Sequence, residues 1–119
     1  MKIVTNMIEV HIVRKKENDF EFLLLKRSDK ENYPGIWQMV SGKIKIKEKA
    51  YQTALREIKE ETGIVPLKLW VVPNVNSFYS HHTDELNFIP VFAGLVDDSS
   101  EVKLSDEHSE FKWVRLEEA

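Results

Sequence analysis

The 119-residue chain contains no cysteine. That absence removes disulfides, thiolate zinc sites, iron–sulfur clusters and cysteine nucleophiles together, and it fits a reducing compartment. Glycine and proline are scarce, at four each, which excludes collagen-like and low-complexity architectures. No apolar run approaches the ~18 residues of a membrane span. The opening Met1-Lys2-Ile3-Val4-Thr5-Asn6 lacks the long apolar stretch and small-residue cleavage site of a secretory leader. A large excess of one charge is also missing, the net being −3. The reading is of a cytoplasmic protein with no membrane partner and with nucleic acid not favoured as a bulk electrostatic partner. Oligomeric state stays open, a homodimer being one option.

What is present is ordinary for a globule: 42% apolar and 31% charged residues. At ~100–200 residues per domain, residues 1–119 read as one domain with a modest core. The charge is uneven. Residues 1–96 carry 14 basic and 12 acidic side chains, whereas residues 97–119 carry three and eight. An acidic protein that handles an anionic ligand needs a cation as intermediary.

Residues 7–13 alternate as a strand, with Ile8, Val10 and Ile12 on one face. Asn18-Asp19 marks a hairpin turn, 22–26 a second strand, and 28–36 a loop punctuated by Pro34-Gly35. A short strand is expected over Trp37–Val40, ending at Ser41-Gly42. Further strands are expected at 67–72 and 75–80, broken by Pro73, at 86–96 with Pro90 at an edge or bulge, and at 111–114. Residues 49–62 are the one convincing helix, rich in Ala, Leu, Glu, Lys and Gln, with Gly63 placed as its C-terminal cap. Leu116 to Ala119 read as the first turn of a helix cut short. Strands on both sides of one helix give an α+β fold with a mixed sheet.

The helix carries Glu57, Glu60 and Glu61 at i, i+3 and i+4, within an arc of roughly 100°. Ala50 and Ala54 share that stripe, and Tyr51, Leu55 and Ile58 form an adjoining apolar stripe able to face the core. Like charges at i, i+4 destabilise a helix by ~0.2–0.5 kcal/mol per pair, and acids at a C-terminal end oppose the macrodipole. The cluster therefore asks for a compensating cation, and all-oxygen donors suit Mg2+ or Mn2+. The residues alone leave a second reading open, that of a solvated, Glu-rich helix end.

The wider spacing runs Gly42, five residues, Glu48, seven residues, then Arg56-Glu57-Ile58-Lys59-Glu60-Glu61-Thr62-Gly63-Ile64. This resembles the complete Nudix box. Its seven fixed letters, at roughly one in fifteen each, would coincide by chance on the order of once in 10^8 frames. Leu23-Leu24-Leu25-Lys26-Arg27 resembles the strand before the family's substrate loop. Trp37-Gln38-Met39-Val40-Ser41-Gly42 is similar to the box entrance of the nucleoside triphosphate and dihydroneopterin triphosphate pyrophosphatase branch. Asp106 to Val114 resembles the late Glu-bearing loop and the Trp strand that follows it. Two departures stand out. Many family members have Gly-Gly where this chain has Ser41-Gly42, and an acid and a glycine where it has Lys45 and Lys47.

The resemblance implies an αβα sandwich around a mixed sheet, the box forming loop–helix–loop, with the closing helix truncated here. It implies Mg2+-dependent hydrolysis of a phosphoanhydride in a nucleoside triphosphate or similar nucleoside diphosphate compound, with Mn2+ as an alternative ion. Glu57, Glu60, Glu61 and the Gly42 carbonyl are the implied metal ligands, with Glu48 a weaker one. Arg56 would orient the carboxylates. The general base would be a box glutamate or Glu107, with Glu110 second to it. Arg27 is a candidate phosphate contact, and Trp37, Phe78 and Tyr79 are candidates for stacking on a base; surface and core roles compete for all four. Lys43, Lys45 and Lys47 could steer an anion, and His81, His82 and His108 are set aside as zinc ligands. Alternatives are a non-catalytic Nudix-like binding domain, a dinucleoside polyphosphate hydrolase, an ADP-sugar hydrolase or an isomerase.

Overall fold

A computed structural model describes residues 1–115. The strands are β1 (Lys2–Val4), β2 (Met7–Lys16), β3 (Asp19–Arg27), β4 (Trp37–Gln38), β5 (Val40–Lys43), β6 (Lys68–Ser80), β7 (Glu85–Val96) and β8 (His108–Arg115), with helix α1 (Ala50–Thr62) after β5. One sheet contains them all. β7 lies parallel to β1 and β2 along one edge and antiparallel to β6 along the other. β3 pairs β2, β4 and β8, always antiparallel. The result is the mixed sheet of an α+β fold.

The central feature is a fork. β2 pairs β5 through residues 7–10 but pairs β3 through residues 13–16. The two long strands therefore diverge, and β4–β5 fill the gap between them. The expected short strand is interrupted at Met39 and continues through Ser41 and Gly42, because those residues pair with Glu9 and Ile8. The fork thus holds Gly42 inside the sheet, beneath the helix.

The alternation read from β2 is realised: Ile8, Val10 and Ile12 are buried together with Leu23, Leu25, Val40, Ala54, Ile58, Phe92 and Val96. α1 begins with Lys49 N–H donating to the Gln52 side chain at 2.9 Å and ends at Gly63, left-handed at φ 74°. Glycine tolerates that conformation without a Cβ penalty. One expectation is overturned. Tyr51 and Leu55 are 48% and 38% exposed, and of the expected apolar stripe only Ile58 is buried. The inward face is instead Thr53, Ala54, Ile58, Glu61 and Thr62. Small residues at 50 and 54, packed in the core, and a glycine in β5 under Glu57 let this side of the helix approach the sheet more closely than the Tyr51–Leu55 side could.

β6 is continuous across Pro73, which sits in an irregular stretch where β6 spends five residues, Val71 to Val75, against three of β7, Pro90 to Phe92. β1 and its parallel pairing were not expected. The helix expected from Leu116, and with it the second helical layer of the sandwich, lies outside the described residues. No helix of the described residues is long and apolar enough to cross a membrane.

Candidate functional site

The acidic stripe of α1 meets the sheet at the fork, and its members differ sharply in exposure. The Glu60 side chain is 53% exposed and that of Glu57 12%, whereas Glu61 is 2% exposed. A solvated helix end would leave all three in water. Here the stripe turns inward, and burying a carboxylate without a partner is costly.

Arg56 organises the group. Its Nε and Nη2 donate to the two oxygens of Glu48, at 2.8 and 2.9 Å, in a bidentate fork. Nη1 donates to Glu57 at 2.6 Å and to Glu60 at 3.2 Å. Nη2 also reaches the Lys43 carbonyl at 2.8 Å, tying the helix to β5. These bonds, with one from Thr53, hold the Glu48 carboxyl down to about 2 and raise the Arg56 guanidinium. Glu48 is thus committed to Arg56, which fits a supporting role better than a direct ligand. Gly42 lies directly under Glu57: a Cβ there would overlap Glu57 Cδ, Cγ and Oε1.

Opposite the helix stand Glu107 and His108, carried to the site by the register shift between Lys26 and Arg27 where β3 meets β8. Donor atoms of Glu61, Glu107 and His108 lie within 4.8 Å of one another. Desolvation, then Glu57 through hydrogen bonding and charge, and then the charges of Glu107 and Glu60, push the Glu61 carboxyl far above the usual carboxylate range. Glu107 is raised too, by desolvation and then by Glu57 and Glu31, with Arg27 opposing. Glu61 Oε2 is buried with no hydrogen-bond partner. Crowded, mutually repelling oxygens with an orphaned acceptor fit a divalent cation, whose charge would remove the repulsion.

The remaining predicted residues divide. Arg27 adjoins this group but donates through Nε to the Asn32 carbonyl at 2.6 Å, shaping the loop after β3. Trp37, on β4, has Lys112 Nζ 4.3 Å from its ring centroid. Phe78 and Tyr79 are half-exposed on β6, separated from β5 by β7 and β2. As strand neighbours they face opposite sides of the sheet, and the Tyr79 hydroxyl donates to Asp84 at 2.7 Å. Glu110 pairs with Lys26 at 3.0 Å. Two members of the group, Gln38 and His108, were not assigned a role from the sequence.

The model of the NUDIX domain matches residues 6–119. The chain belongs to the Nudix hydrolase family. This Nudix chain is 32% identical over 112 residues to the asymmetrical bis(5'-nucleosyl)-tetraphosphatase of Mus musculus, covering 92% of itself and 74% of that protein. It is 26% identical over 110 residues to the nucleoside triphosphatase NudI of Escherichia coli, covering 86% and 78%. Among solved structures it resembles a C. elegans Ap4A hydrolase binary complex, at TM-score 0.78 and 27% identity over 97% of this chain and 82% of that one. The mixed sheet with its box helix is therefore shared with enzymes of this family.

Proposed function

We propose that this Nudix protein hydrolyses a phosphoanhydride bond in a nucleoside polyphosphate, with a divalent cation, Mg2+ first, held by Glu57, Glu60, Glu61 and the Gly42 carbonyl. The observation that carries the reading is the convergence of the box acid Glu61 with Glu107 and His108 on one point, with a buried, unpartnered Glu61 oxygen. When bound, such a cation neutralises phosphate oxygens and acidifies a coordinated water. The chain's own residues do the rest. Arg56 fixes the orientation of Glu57 and Glu48, so the ligand oxygens are placed before substrate arrives. Glu107, whose proton affinity burial raises, is the base: its carboxylate accepts the proton of water as the new P–O bond forms and the bridging P–O bond breaks. Arg27 lies beside the group and would offer guanidinium nitrogens other than the Nε bound to Asn32 to a phosphate.

Within the class, the entrance sequence favours a nucleoside triphosphate, and so does the likeness to NudI. A dinucleoside polyphosphate is the second reading, supported by the likeness to the mouse tetraphosphatase and the worm Ap4A hydrolase. The test is turnover of nucleoside triphosphates and dinucleoside tetraphosphates, with and without Mg2+ or Mn2+, and identification of the products. Cation-dependent cleavage is expected, and Glu60→Gln should abolish it while leaving the fold intact by circular dichroism. Binding of these nucleotides without turnover would instead identify a non-catalytic binding domain.

A further inference from the structure

Gln38, His108 and Glu61 come from β4, β8 and α1 and meet in the interior beside the cation ligands. His108 is 5% exposed, and its two ring nitrogens face different groups. Nε2 lies 3.2 Å from Gln38 Nε2, and Nδ1 lies 3.6 Å from Glu61 Oε1. An amide nitrogen only donates, so His108 Nε2 is the acceptor and carries no hydrogen. A ring that accepts at Nε2 is not the imidazolium, which donates from both nitrogens. In a neutral imidazole with a bare Nε2, the hydrogen sits on Nδ1. That nitrogen is buried and otherwise unpartnered, as is Glu61 Oε2. At 3.6 Å the contact is longer than a hydrogen bond, yet Glu61 Oε1 is the acceptor that Nδ1 faces.

We propose that Gln38 fixes the Nδ1–H tautomer of His108, and that His108 holds Glu61 by one oxygen so that the other, Oε2, is presented to the divalent cation. His108 is then a positioning residue, acting through Glu61. The inference rests on Glu61 being a cation ligand, as proposed above. The competing arrangement has His108 Nδ1 bind the cation itself, beside Glu61 and Glu107. A ligating Nδ1 must lose its hydrogen, which would move to Nε2 and point at the amide donor of Gln38. The Gln38 contact opposes that state.

The experiment uses the full chain and Mn2+ as probe, with affinity read from the electron paramagnetic resonance of the free ion. Histidine 15N correlation spectra of the cation-free protein should place the His108 hydrogen on Nδ1; a hydrogen on Nε2 overturns the proposal. His108→Phe keeps the ring and removes the donor, and should weaken Mn2+ binding about 10- to 100-fold, the usual scale for groups that orient a ligand. His108→Asn retains a side-chain N–H and should recover part of that loss. Gln38→Glu draws the hydrogen to Nε2 and should weaken Mn2+ binding with the ring still present; it and His108→Asn serve if His108→Phe does not fold. Undiminished affinity in folded His108→Phe overturns the proposal, and so does direct 15N hyperfine coupling between Mn2+ and His108. Glu61→Gln separates the two levels. Unchanged Mn2+ binding there removes both the ligand assignment and the inference. A loss there with normal binding in His108→Phe removes the inference alone.

Discussion

The Glu57 side chain crosses Gly42 so closely that no Cβ fits between them. The strand and the helix of the box therefore register on each other through one carboxylate and one missing methyl group. Gly42 has no positive φ, so proximity and not backbone conformation demands glycine. Gly42→Ala should displace Glu57, break its 2.6 Å bond to Arg56 and destabilise the chain by ~1–3 kcal/mol, the usual scale of overpacking. Urea unfolding measures the stability, and Mn2+ affinity, expected to fall with it, measures the site.

Acid should expose the Arg56–Glu48 fork. The folded Glu48 carboxyl lies at about 2, against an ordinary 4.5, because Arg56 and Thr53 hydrogen-bond its charged form. A depressed carboxyl contributes stability that is fully present above 4.5 and is lost as pH falls toward 2. Glu48→Gln lacks this contribution. The melting temperatures of the wild type and this variant should differ near neutrality and converge as pH drops through that window; a constant difference would place the stabilisation elsewhere.

Lys47 adopts φ 67° just before Glu48, where many family members carry glycine. A side chain in the left-handed region costs ~1–2 kcal/mol, and glycine returns ~0.5–1 kcal/mol of that through unfolded-state entropy. Lys47→Gly should therefore stabilise the chain by about 0.5–1 kcal/mol in chemical unfolding. Lys47→Ala should give no comparable gain.

The turned helix makes a contrast between neighbours. Ile58 is fully buried and Leu55 is 38% exposed. Ile58→Ala should cost ~2–5 kcal/mol as a core cavity, and Leu55→Ala should cost ~1 kcal/mol or less. Equal losses in equilibrium unfolding would mean that the helix rests on the sheet by its Tyr51–Leu55 side.

Local chemistry made much of this legible in the sequence. Propensity and Gly63 marked α1, alternation marked β2, and the spacing from Gly42 to Gly63 marked the acids. Features set by distant partners were hidden. β1 is three residues long, too short for a period. The facing of α1 depends on the buried Ala54 and on Gly42 leaving room for Glu57, small residues that an apolar count along the helix ranks last. The turn after β2 falls at Glu17 and Asn18, one residue earlier than expected, because Glu17 takes a left-handed φ of 58°. Gln38, His108 and Glu61 meet only after folding, so no spacing announces them. A histidine and a glutamine flanking a fork between strands leave no periodic trace.

The irregular stretch around Pro73 also bears on how molecules meet one another. β6 runs for 13 residues and, among the described residues, pairs only with β7. A flat rim that long, with Val71 and Val75 exposed, would invite a neighbouring chain to add its own strand and begin a fibre. The imino acid withholds a donor in mid-rim and the extra residues kink the line, so the interruption that makes the segment read as two strands also discourages self-templated growth.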